Sequence, residues 1–418
     1  MTEGPLPPLR RDVEVVPFEE KGQPLFLVRD PEGSGDHALA LSPAGMAVAS
    51  LLDGSKTLAA VQGLLKKATG GVEIPLEQLK KVVDELARLQ LLETPEVQAQ
   101  RRKVLEAFRA SPVRPAAHLD GYPKGGLELA SFLGAFFRDK RGPGKPMADK
   151  PAGKKPLRGL LAPHIDLHRG GPAYAWAYGA LADAPPPDLI LSLGVAHSSP
   201  NSPWVLTKKR YQTPYGDMAV SDELYQDVAG ALWYDPLDDE WVHRKEHSLE
   251  FQALWLRFLW RDATPPWLPV LCSSFDRFAP DRAPSSIATV EEALVGIGAR
   301  LRARARKRRI LILGGVDLAH VGPRFGDDIQ LSNEVENRIE REDRASLEKA
   351  LALDADGFYK SVIADGHWRK VCGLSAIYTA LRLLGALGVK GDGTLLTYGQ
   401  APDPMGGIVS FAGVEFKG

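Results

Sequence analysis

The sequence predicts an α/β protein whose main body is a mixed, mostly parallel sheet with helices on both faces, set behind a small separate N-terminal domain. Three observations carry that prediction. From Arg158 onward, apolar runs of strand length alternate with stretches of helical period, the mark of strand–helix–strand units. Those apolar runs stop at Pro or Gly and hand over to His or Asp, in residues 160–170 (LLAPHIDLHRG), 189–199 (LILSLGVAHSS) and 310–322 (ILILGGVDLAHVG). Before residue 98 the pattern changes to two short strand-like runs followed by three helical ones.

Residues 10–97 read as the independent first domain. Strands are expected at 13–17 and 25–28, around a turn at 20–23 (EKGQ). Leu41-Ser42-Pro43 opens a helix that ends at Leu52-Asp53-Gly54. Thr57 is a suitable N-cap for a second helix through Leu58, Val61, Leu64 and Leu65. A third covers 76–89, with Leu79, Val82, Val83, Leu86 and Leu89 on one buried face. Leu91-Leu92-Glu93 would start a wing, which makes the whole a winged-helix module. The run LSPAGMAVASLLDGSKTLAAV…LEQLKKVVDELARLQLLE resembles the small peptide chaperone of pyrroloquinoline quinone biosynthesis and related peptide recognition elements. That resemblance implies docking of a peptide or protein partner along a sheet edge. DNA binding, the other use of a winged helix, lacks a basic footprint, since residues 41–95 hold six Lys/Arg against six Asp/Glu.

Residues 98–157 link the two domains. Residues 98–110 should be helical, and 127–137 (LELASFLGAFF) form an apolar helix suited to packing on the main domain. Residues 141–156 (RGPGKPMADKPAGKKP) read as a mobile surface loop. The main domain, 158–418, opens with a strand at 159–162 and a helix at 173–181, with Pro172 at its N-terminal end. A strand at 189–193 precedes a hairpin across 204–219. A helix at 248–260 buries Phe251, Leu254, Trp255 and Phe258. Strand 267–272, a long helix from about Ser286, strand 310–313, two helical stretches and strands 395–398 and 408–416 complete it.

Composition narrows the function. A net charge of -1 gives no bulk attraction to nucleic acid or anionic membrane. No signal-peptide-like or membrane-spanning stretch is expected. Two cysteines, Cys272 and Cys372, exclude a disulfide-built scaffold and suit a reduced, cytoplasmic setting. The basic run RLRARARKRR (300–309) closes a helix begun by Glu291-Glu292 and complements its dipole, so it reads as a solvated helix end.

The chemistry sits at the strand ends, where open α/β sheets carry their sites. His164 and His197 each end a buried strand, and each alone is also compatible with a hydrogen-bonded core histidine. Asp317 and His320 stand at i and i+3, on one side if that turn is helical. Two histidines and a carboxylate suit non-haem Fe(II), and Zn²⁺ accepts the same set. Cys372 precedes an apolar helix, where a thiolate is favoured. It reads as a ligand, as a nucleophile, or as a small buried hydrophobe. Cys272, inside an apolar strand, reads as structural. His247 and Glu250 share one face at a helix start. They suit general acid/base work or support behind a metal, and a Glu in a first turn also fits the helix dipole. Asp166 and His168, just past His164, read as substrate-binding residues or as part of a solvated loop.

Taken in order, RPAAHLDGYP, APHIDLHRGG, LGVAHSS, TPYGD, EHSLEFQ, DLAHVG and VCG make residues 114–418 resemble the Memo-like family. Bacterial members are described as protein B of the AmmeMemoRadiSam system, beside a radical-SAM enzyme and a third small protein. The resemblance implies a class III extradiol dioxygenase-like fold and iron or copper redox chemistry. It places the family's metal site on His164, His197, Asp317, His320 and Cys372. The sequence departs in carrying Asp166-Leu167-His168 where many relatives have Ala-Gly-Tyr, and in its extra N-terminal domain. Three readings follow. One is a cytoplasmic metal-dependent redox enzyme that holds Fe(II) or copper, with His247 moving protons and Glu250 orienting it. Another is a non-catalytic metal-binding adaptor for a peptide or partner. The third is a metallohydrolase using Zn²⁺-bound water.

Overall fold

The computed structural model describes residues 4–30, 38–147, 155–278, 280–391, 393–403 and 406–418, and the chain divides into two units, Met1–Ala107 and Phe108–Gly418. In the first unit, Lys21 and Gly22 both take positive φ and turn β1 (Glu14–Glu20) back onto β2 (Gln23–Arg29) as an antiparallel hairpin. A third strand, β3 (Ala38–Leu41), pairs with β2. The sequence does not mark it, because Leu41 also suits the start of the helix that follows. Ser42 caps α1 (Pro43–Ser50), and Thr57 caps α2 (Leu58–Ala68), each accepting a backbone N–H. With α3 (Leu76–Arg88) these helices bury Val48, Val61, Leu65, Leu79 and Leu86. Leu92 makes a single antiparallel bridge to Leu9 rather than a hairpin. The chain then enters α4 (Pro95–Ala110).

The second unit starts within the expected linker. β4 (Val113–Arg114) and α5 (Gly126–Phe136) belong to its body, and Leu129, Leu133 and Phe137 are buried in its core. Residues 148–154 of the expected mobile loop lie outside the described residues. β5 (Leu157–Ala162) leads into α6 (Leu167–Asp183), which begins six residues earlier than expected because Asp166 caps it. Pro172 therefore sits inside the helix, where its missing N–H costs one backbone bond. After β6 (Leu189–Val195) the expected hairpin across 204–219 is reduced to one antiparallel bridge, Tyr211 to Met218. β7 (Trp204–Leu206) joins the main sheet, and β8 (Arg210–Tyr211) pairs with β4 instead. There follow α7 (Asp222–Ala229), α8 (Glu250–Trp260), β9 (Trp267–Cys272), α9 (Ala288–Arg304) and β10 (Ile310–Gly315). The chain ends with β11 (His320–Val321), α10 (Asn333–Leu351), α11 (Ala355–Ile363), α12 (Leu374–Ala386), β12 (Thr394–Asp403) and β13 (Gly407–Lys417).

The main sheet runs β11-β13-β5-β10-β6-β9-β7, with β12 on β13. Its centre, β5-β10-β6-β9, is parallel, while β7, β11, β12 and β13 pair antiparallel at the two sides. The sheet is thus mixed rather than mostly parallel, because the terminal β12–β13 pair needs no crossover helix. The central strands are apolar except at Arg158 and Ser192 because both faces are covered. Ile310 and Ile312 point to the layer holding α9 and α12, and Leu311 and Leu313 to the layer holding α6 and α8. No helix among the described residues is long and apolar enough to cross a membrane.

Candidate metal centre

Three adjacent parallel strands, β5, β10 and β6, deliver His164, Asp317 and His197 to the same end of the sheet. Residues about 150 positions apart become neighbours because their strands are hydrogen-bonded side by side. Gly315 lets this end close. A Cβ there would lie 2.6 Å from the Ser248 carbonyl, just ahead of α8. The Gly315 carbonyl accepts from Nδ1–H of His164 at 3.0 Å, so Nε2 of that buried ring faces the centre. One nitrogen each from His164, His197 and His247 lies within 4.8 Å of the other two.

His197 and His247 are supported by a residue the sequence reading passed over. Glu246 is buried, and its carboxylate lies 3.0 Å from His197 Nδ1 and 3.3 Å from His247 Nδ1. It also accepts the backbone N–H groups of His197 and Ser248, each at 3.0 Å. One carboxylate orienting two imidazoles through Nδ1 is the usual support behind a metal ligand. Glu250, expected to orient His247, instead pairs with the fully buried Arg114. Its oxygens also accept from Ala117 N, His118 N and Tyr122 Oη. Glu250 thereby fixes the 114–122 segment and sets His118, also unforeseen, with its ring 5.6 Å from that of His247. Helical-face reasoning favoured positions 247 and 250, but the helix begins only at Glu250. The signal for Glu246 was its place directly before the histidine in EHS.

Cys372 and His320 approach from the other side. Cys372 Sγ lies 3.3 Å from His164 Nε2, and Asp317 Oδ2 lies 3.5 Å from that same nitrogen. Asp317 Oδ1 accepts the His164 backbone N–H at 3.0 Å. His320 Nδ1 is 3.1 Å from the Leu318 carbonyl, which again frees Nε2. The Asp317–His320 turn is not helical, and His320 begins β11. Gly373 precedes α12, so Cys372 stands just outside its N-terminus, as expected.

The electrostatics of the cluster follow from this packing. Burial disfavours the Cys372 thiolate, but His164 and His320 outweigh it and hold the thiol well below its ordinary value. Burial likewise opposes charge on His164, yet Asp317 and the Cys372 sulfur raise it to about 9. His197 is raised well above its usual value against burial, by Glu246 and Cys372. His320 is raised against burial by Cys372 and Asp317. His247 goes the other way, since burial and the neighbouring imidazoles of His197, His164 and His118 outweigh Glu246. Asp317 is raised, first by burial and then by Cys372. Protons on imidazole here balance a buried thiolate. A metal cation fits the same place because it supplies positive charge to the same donors and releases those protons.

The structure brings together His164, His197, His247, Asp317, His320 and Cys372, while Glu250 supports the rim. Asp166 and His168 are engaged elsewhere. Asp166 caps α6 through Arg169 N and pairs with the Arg169 side chain, and His168 packs edge-on to Phe132. The side chains of His197 and His247 are 39% and 32% exposed against 2% for His164, so the centre opens to solvent on their side.

A family model described as Memo-like protein matches residues 114–414. A MEMO1 family protein of Aquifex aeolicus is 26% identical over 414 residues, covering 98% of this chain and 99% of that protein. A MEMO1 family protein of Thermus thermophilus is 30% identical over 280 residues, 67% of this chain and 76% of its own. Among solved structures, an uncharacterized protein of Escherichia coli K12 aligns with a TM-score of 0.37 and 16% identity, over 62% of this chain and 99% of that one. A likeness that loose carries no argument.

Proposed function

The chain belongs to the Memo-like protein family, and from that premise we propose that it is a cytoplasmic metal-dependent redox protein whose ion is held at the strand-end cluster. The observation that carries this reading is the meeting of His164, His197 and His247, each Nδ1 facing an oxygen acceptor, with the Cys372 thiolate beside them. Imidazole and thiolate donors suit iron(II), copper or zinc and not magnesium or calcium. Iron(II) or copper would supply Lewis acidity and one-electron chemistry when bound. Around it, Glu246 orients two imidazoles, Asp317 holds His164 by its backbone, and the open side at His197 and His247 admits an exogenous ligand. His118, its ring 5.6 Å from that of His247 and its Nε2 2.8 Å from the Lys245 carbonyl, suits proton handling on that side.

We further read the chain as protein B of an AmmeMemoRadiSam-type system, acting beside a radical-SAM enzyme. Its N-terminal unit would be a winged-helix-like module that takes a peptide or protein partner. Support for the module is a separate three-stranded sheet whose outer strands, β1 and β3, leave edges for an added strand. Its balanced charge removes the reason to bind DNA. Metal analysis of protein purified without oxygen tests the central reading. Wild type should carry iron or copper, and His197→Ala should retain about tenfold less or lower still. Equal, trace metal in both rejects it. Zinc with an oxygen-insensitive hydrolytic activity would favour the hydrolase reading instead.

A further inference from the structure

We propose that the buried ion pair Asp343–Arg369 is the positioning element that holds Cys372 and His320 in register at the metal centre, a role that rests on the metal reading above. Asp343 is 0% exposed and Arg369 1%, with 2.6 Å between Oδ1 and Nη1. An ion pair so buried adds little to stability over an apolar pair of the same volume. Its geometry supplies the reason for it. Arg369 lies three residues before Cys372, and its backbone carbonyl accepts the N–H of His320 at 2.7 Å. The other Asp343 oxygen accepts from Ser410 Oγ on β13 and from Tyr398 Oη. Ser410 Oγ accepts Ala319 N at 2.8 Å, and the Ser410 carbonyl accepts Leu318 N at 2.8 Å. The pair therefore grips both the turn carrying Asp317 and His320 and the loop carrying Cys372.

That loop needs holding. His367 and Lys370, neither of them glycine, take φ of 58° and 45°, a conformation that persists only where the surroundings over-determine it. Lys370 Nζ adds an outer anchor at Asp327 and the Phe325 carbonyl. The three imidazoles are supported separately, by the Gly315 carbonyl and Glu246. Breaking the clamp should thus loosen sulfur and His320 while leaving the imidazole group in place.

Cobalt(II) binding by the full chain tests this, read by its visible bands and by thiolate-to-cobalt absorption in the near ultraviolet. Asp343→Asn should bind cobalt about 10- to 100-fold more weakly, with less sulfur absorption per bound ion. Ser410→Ala, which keeps the ion pair and removes one link, should fall between that variant and wild type. Glu291→Gln, which breaks the Arg382 pair on α9 and α12 away from the centre, should match wild type in both readouts. Folded Asp343→Asn with wild-type affinity and wild-type sulfur absorption overturns the clamp alone. Should that variant not fold, Ser410→Ala decides by the same criterion. Failure of wild type itself to bind cobalt removes the metal reading, and the clamp with it.

Discussion

His243 shows what a structural histidine looks like in this protein. It is fully buried, accepts from Tyr211 Oη at Nδ1 (2.7 Å), and lies 3.0 Å from the Val205 carbonyl at Nε2. One ring nitrogen accepting and the other donating means a neutral ring, and burial pushes its pKa down to about 3. The unfolded chain takes up this proton near pH 6.5. Between those values the unfolded state binds more protons, so stability falls as pH falls. The slope is about 1.4 kcal/mol per pH unit from this group. Urea unfolding at pH 4, 5 and 6 should show His243→Gln with a shallower acid slope than wild type, and equal slopes would contradict the assignment. At the site, one ring nitrogen each of His164, His197 and His247 faces the other two, and His164 Nε2 faces the Cys372 sulfur. His164, His197, Asp317 and His320 are legible because each follows a run that must be buried, and Cys372 because it precedes an apolar helix. His118 is not, since its place depends on a backbone bond to Glu250 that no local pattern encodes, and Glu246 is marked only by standing directly before His247.

At the scale of elements, α6 separates two roles for Asp166. The sequence reads it as substrate-binding or as part of a solvated loop, and in the structure its side chain accepts the Arg169 N–H at the first turn of the helix. Asp166→Ala should lower stability by about 1 kcal/mol, the ordinary loss for an N-cap, with bound metal unchanged. Thermal unfolding and metal analysis on one preparation check this, and lost metal at unchanged stability would restore the substrate-side role. Helices with clean period, such as α2 with its Thr57 cap and α3, are readable nearly to the residue. The short strands are not. β3, β7 and β8 are four residues or fewer, and their partners are chosen by the sheet they join rather than by their own composition.

Across the whole molecule, sheet order does the work that creates a centre. The alternation of strands and helices announced an α/β body, but nothing local announced that β10 would insert between β5 and β6. That insertion brings the Asp317–His320 turn against His164, while α12, following Cys372, packs on the same strands. Two units divide the labour in the proposed function, with recognition in the first and the ion in the second. X-ray absorption at the edge of the metal carried by anaerobically purified protein, with Cys372→Ser alongside, addresses the ion most directly. The expected shell has imidazole nitrogens at about 2.0–2.1 Å and one sulfur at about 2.3 Å, the sulfur vanishing in the variant. A shell of oxygen alone, or a sulfur that survives Cys372→Ser, would contradict the assignment of this cluster as the metal centre.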